Sequence, residues 1–97
     1  MAICYILYSQ SLDRFYIGST HDEIINRVEK HLSKIYGPKK YTAKADDWQV
    51  YLSITCKSFA QAIQLENHIK KMKSKKYIQN LKEFEEIAQK LLIKYPA

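Results

Sequence analysis

Tyr16, Arg27, His31 and Glu66 bring a phenol, a guanidinium, an imidazole and a carboxylate set among apolar residues into one short chain. A carboxylate can hold a hard cation, and a guanidinium fits phosphate oxygens better than an ammonium does. Phenols and imidazoles can carry protons. Together these are the parts of a metal-assisted site acting on phosphodiesters. Each part also has a plain alternative. Arg27 can pair with Glu23 one turn back, His31 can cover the edge of a core, and Glu66 can pair with Lys70 at i,i+4.

Helical geometry sorts these residues. Arg27 and His31 lie about 40° apart around a helix axis, at the border of the stripe Ile24, Ile25, Val28 and Leu32. Only two arginines occur against fourteen lysines, so Arg27 is not generic surface charge. Glu66 falls angularly between Phe59, Ala62 and Ile63, inside an apolar stripe. A carboxylate there costs several kcal/mol unless it is paired or bound to a cation.

The elements that must position these groups follow from local patterns. Residues 2–8 are β-branched and aromatic, residues 9–13 read as a turn, and residues 14–17 make a second strand, so a hairpin is predicted. Thr20 and Glu23 match a capping box that opens a helix burying Ile24, Ile25, Val28, Leu32 and Ile35, ended by Gly37-Pro38. The lysine-rich segment to Asp47 reads as a loop. Trp48 to Thr55 is a third strand with Val50, Leu52 and Ile54 on one face. Ser58 and Gln61 cap a long helix whose apolar side holds Phe59, Ala62, Ile63, Leu65, Ile69 and Met72. Asn80 is read as the cap of a last helix with Leu81, Phe84, Ala88, Leu91 and Tyr95 on one stripe. The order β-β-α-β-α-α implies an α+β fold, a small three-stranded antiparallel sheet flanked by helices.

Ninety-seven residues make one domain with a modest core, and a hydrophobic fraction of 46% argues for a folded chain. No apolar run approaches the roughly 20 residues of a membrane span. The N-terminus lacks a charged leader-like segment, and Cys4 and Cys56 have no metal-ligand spacing. Two buried thiols in a cytoplasmic protein are therefore expected. The net charge is +6, and all of the excess belongs to residues 1–81, which hold thirteen of the sixteen basic and seven of the ten acidic residues. It peaks at Lys70, Lys71, Lys73, Lys75 and Lys76, with Lys39, Lys40 and Lys44 as a second group. Clustered lysine suits a polyanion, although a solvated helix face would look the same.

Over residues 3–80 the chain resembles the GIY-YIG nuclease family, in particular its compact single-domain bacterial members. Ile3-Cys4-Tyr5 corresponds to the first motif with its tyrosine kept, and Tyr16-Ile17-Gly18 matches the second. Arg27 to His31 resembles the family's arginine helix with its histidine. The run from Ala62 to Glu66 leading into Ile69-Lys70-Lys71 resembles the segment bearing its metal-binding glutamate. Position 19 departs from the pattern, with a serine where repair-type members carry lysine.

The resemblance implies residues 1–80 as the nuclease-like domain, with 81–97 a C-terminal helix packed on it. It implies a metal-dependent endonuclease hydrolysing phosphodiester bonds of DNA, branched or otherwise structured DNA included, of the kind used in repair or recombination. Glu66 would hold one Mg²⁺ or Mn²⁺, and Tyr5 would activate water. Tyr16 would position water or phosphate, Arg27 would stabilise charge on phosphorus, and His31 would orient Tyr5 or share proton transfer. Lys70, Lys71 and Lys73 would grip flanking phosphates. A free phenol titrates near about 10, so the role given to Tyr5 requires positive charge beside it. Two further readings stand beside this one: a nucleic-acid-binding module without turnover, and an interaction protein whose last helix mediates assembly.

Overall fold

The computed structural model describes residues 2–21 and 47–96. Strand β1 (Ala2–Ser9) pairs antiparallel with β2 (Arg14–Thr20) on one side and with β3 (Trp48–Cys56) on the other. The sheet order is β2-β1-β3. Helices α1 (Phe59–Met72), α2 (Lys75–Glu83) and α3 (Glu85–Lys94) follow. This is the α+β architecture expected, a small antiparallel sheet flanked by helices, with the described elements in the order β-β-β-α-α-α. The helix expected from residue 24, with Arg27, His31 and the Lys39, Lys40 and Lys44 group, lies outside the described residues.

Strand pairing sorts side chains onto two faces. Ala2, Cys4 and Ile6 of β1 share a face with Ile17 of β2 and with Ile54 and Cys56 of β3, and this face packs on Ala62, Leu65 and Ile69 of α1. Ile78, Leu81 and Leu91 extend the same core onto α2 and α3. The opposite face carries Tyr5, Leu7 and Trp48 with Ile3, Leu12 and Tyr16 around them. Cys4 and Cys56 are buried and free, as anticipated for both thiols.

Two sequence expectations need correction. Val50 does not share a face with Leu52 and Ile54, because Ile6 pairs with Leu52 while Leu7 pairs with Val50, leaving Tyr51 as an extra residue. Such a bulge reverses side-chain parity. It carries Trp48 to the Tyr5 face and leaves Val50 41% exposed. The last helix is not capped by Asn80 either. Ser74 caps α2 by accepting from the Tyr77 backbone N–H, Asn80 lies inside α2, and the chain breaks at Phe84 before α3. Lys73, in the left-handed region at φ 48°, ends α1. Ser58 does cap α1, accepting from the Gln61 N–H at 3.1 Å. The Gln61 side chain accepts from the Lys57 N–H and donates to the Leu92 and Tyr95 carbonyls, so one buried amide ties the start of α1 to the end of α3.

Gly18 is required by close approach. Tyr5 pairs directly with Gly18, and its ring lies across β2, so a Cβ at position 18 would come within 2.6 Å of the Tyr5 Cζ. Tyr5 itself is fully buried. The hairpin turn is held by Asp47, which accepts from the Ser9 hydroxyl at 2.6 Å, the Ser11 N–H at 2.8 Å and the Ser11 hydroxyl at 3.0 Å.

Gly18→Ala should destabilise the fold by about 1–3 kcal/mol, the usual cost of overpacking. Measured by urea denaturation, that loss should shrink markedly in a Tyr5→Ala background, and additive losses would contradict the packing account. The Ser9 and Ser11 hydrogen bonds hold the Asp47 carboxyl below its ordinary value of 3.8. A depressed carboxylate stabilises above its unfolded value, and that contribution fades as pH falls through the lower folded one. Asp47→Asn should therefore flatten the acid side of a stability profile taken from roughly pH 6 to pH 2.

Candidate active site

The aromatic half of the site grows from strand alternation. Tyr5 and Tyr16 project from neighbouring strands on one face, with ring centroids 6.3 Å apart. Trp48, delivered there by the bulge in β3, meets Tyr16 edge-on at 6.4 Å. The two phenols differ in access. Tyr5 is closed off at 0% exposure, whereas Tyr16 is half-buried.

The acidic half approaches from the other face. Glu66 stands on α1 next to buried Leu65, and its side chain is 18% exposed. Ser19 Oγ donates to Glu66 Oε1 at 2.6 Å, and Lys70 Nζ donates to Oε2 at 2.6 Å. The i,i+4 pair considered as the plain alternative is thus present, and it is joined by a serine from β2. Ser19 lies beside Gly18, so the carboxylate and the Tyr5 phenol end at consecutive residues of β2 but on opposite faces of the sheet. Because β2 is an outer strand of the described sheet, a ligand touching both groups would have to pass around that strand.

Ser19 is the functional candidate that sequence reasoning missed. In the sequence it stands out only as a serine where repair-type members carry lysine, yet it alternates with Phe15 and Ile17 on the apolar face of β2, where a hydroxyl needs a partner. The helix bearing Glu66 supplies one. His21, just beyond β2, stacks on Phe59 at 4.3 Å and joins the end of that strand to the first turn of α1.

Among the described residues, Tyr5 and Tyr16 are together, and Glu66 lies across β2 from them. Arg27 and His31 lie outside the described residues. Lys71 and Lys73 are exposed near the end of α1. Part of the lysine cluster is neutralised locally: Lys70 is tied to Glu66, and Lys75 donates to the Asp13 carboxylate and carbonyl, both at 2.9 Å. Lys75 is the first cause of the lowered pKa of Asp13.

Among the described residues, no group of three or more His, Cys, Asp or Glu side chains is placed to hold a metal ion by itself. Cys4 lies within electrostatic reach of Glu66, but burial, then Cys56 and Glu66, push its thiol up to about 12. Cys4 is a free thiol buried in the core. What remains is one carboxylate flanked by a hydroxyl. That donor set fits a hard cation that keeps most of its water and takes phosphate oxygens, rather than one needing a closed protein cage. No helix among the described residues is long and apolar enough to cross a membrane.

A family model described as the GIY-YIG catalytic domain matches residues 1–81. No curated protein and no solved structure matches the chain. The matched span takes in the hairpin with both tyrosines, the Tyr5–Gly18 crossing and the Glu66 helix. By that match over most of its length, with the small open sheet that carries it, the chain belongs to the GIY-YIG family and has its nuclease-type fold.

Proposed function

We propose that the protein is a metal-dependent endonuclease that hydrolyses phosphodiester bonds of DNA, structured or branched DNA included. The observation that carries this reading is the Glu66 carboxylate, held at β2 by Ser19 one residue from the Gly18 over which Tyr5 lies. Glu66 would hold Mg²⁺, with Mn²⁺ as substitute, and when bound the cation supplies Lewis-acid stabilisation of the departing oxygen.

The protein's own groups do the rest. Tyr5 is fully buried, so in this mechanism it would act as phenolate, favoured by the cation and Arg27, and accept the proton of the attacking water through a second water, becoming a neutral phenol. Tyr16, half-buried beside it, orients that water or a non-bridging phosphate oxygen. Arg27 stabilises the charge gathering on phosphorus, and His31 orients the phenol. Lys71 and Lys73 hold flanking phosphates without reading sequence, and Lys70 joins them once it leaves Glu66. The setting of this activity, repair or recombination in a bacterial cytoplasm, is part of the same proposal.

A second reading, a nucleic-acid-binding module without turnover, draws on two observations. Both oxygens of Glu66 are already engaged, and Tyr5 is closed to solvent.

Plasmid nicking distinguishes the two. Wild type should nick with Mg²⁺ or Mn²⁺, and Glu66→Gln should lose at least about a hundredfold in rate. Salt-sensitive binding with no metal-dependent cleavage would favour the binding module. In the same binding assay, Lys71→Ala and Lys73→Ala should each reduce the salt slope by up to roughly one unit, with little dependence on sequence.

A further inference from the structure

We infer that Lys70 is a built-in counter-ion of Glu66, which keeps the carboxylate from loading a divalent cation until a phosphodiester backbone draws the ammonium away. This rests on the reading of Glu66 as the cation ligand and adds to it a condition for loading.

The geometry carries the argument. Glu66 has two carboxylate oxygens, each with one short partner, and the two partners differ in kind. Ser19 Oγ donates to Oε1 at 2.6 Å from β2, a fixed element of the sheet. A hydroxyl adds no charge and can stay while the carboxylate binds a cation. Lys70 Nζ holds Oε2 at 2.6 Å with a full positive charge. A divalent cation cannot share that oxygen's surroundings with an ammonium without repulsion, so the two compete.

The competitor is poised to leave. Lys70 is 52% exposed, against 18% for Glu66, so its four-carbon stem can swing outward while the carboxylate stays in place. Exposed ion pairs are weak, and an ammonium is a mobile point charge that phosphate oxygens attract equally well. Lys71 lies about 100° further round the helix and Lys73 follows just beyond its end, so a backbone that reaches Lys70 meets further cations at the end of α1. Phosphate capture of Lys70 would uncover Oε2, and the same phosphate would bring oxygens to complete the cation's shell. Backbone and cation would then each raise the affinity for the other.

The test is Mn²⁺ binding to the full chain without nucleic acid, followed at low salt by the electron paramagnetic resonance of free Mn²⁺. Lys70→Met should bind Mn²⁺ roughly three- to tenfold tighter than wild type, the range expected on removing a competing partly exposed charge. Lys70→Gln should do the same, guarding against an effect peculiar to methionine. Lys70→Arg should remain within about twofold of wild type, since it keeps the charge. Glu66→Gln should abolish the difference between Lys70 and Met at position 70. Binding that depends on Glu66 but is unchanged or weaker in both neutral variants would overturn the counter-ion role and leave the cation reading standing. Binding that is the same in wild type, Lys70→Met and Glu66→Gln would overturn both.

Discussion

A tyrosine ring packed against a glycine governs how the described part of this molecule is arranged. Tyr5 can cross β2 only because position 18 carries no Cβ, and the crossing occurs only in the register that sets Tyr5 opposite Gly18. A slip of one residue would send every side chain of β2 to the other face. Tyr16 would then leave Tyr5 and Trp48, and Ser19 would leave Glu66. The close approach thus acts at a distance, because parity within β2 is shared by every residue on it.

The sheet consequently separates two kinds of chemistry. One face gathers aromatic groups, a fully buried Tyr5 with half-buried Tyr16 and Trp48 beside it. The other is an apolar surface packed on α1, interrupted near its margin by the Ser19–Glu66–Lys70 chain. Setting an anion at that margin costs little when a hydroxyl and an ammonium satisfy it, whereas setting it in the middle would not be tolerated. A polar group among apolar ones on α1 therefore has a physical account even before any cation is considered. The same two interactions engage both oxygens of the carboxylate.

Much was readable along the chain because the signals were local. The first strand, the turn after Ser9 and the Ser58 cap each depend on residues within a few positions of one another and appear where anticipated, whereas β2 runs on through Thr20 instead of ending at Ile17. The failures were local signals overridden by tertiary fit. Val50 reads as in phase with Ile54, but an extra residue at Tyr51 shifts the register of β3 against β1 and brings Trp48 edge-on to Tyr16. Asn80 looks like a cap, but Ser74 starts the helix earlier, and Ile78 and Leu81 reach the core on the resulting α2.

The chain alone determined its class, its hairpin and the identity of the groups available for chemistry, because periodicity and residue type are properties of neighbours in sequence. It also carried the motif order that marks the family. Only the tertiary structure decided that Glu66 meets Ser19, that Tyr5 is sealed while Tyr16 is not, and that carboxylate and phenol end on opposite faces of β2. Those outcomes depend on how α1 docks across a strand more than forty residues earlier, with Ser19 and Glu66 separated by 47 positions. No pattern confined to one segment encodes that docking. It is set by the shared core of Cys4, Ile54, Ala62, Leu65 and Ile69, whose burial drives the two segments together.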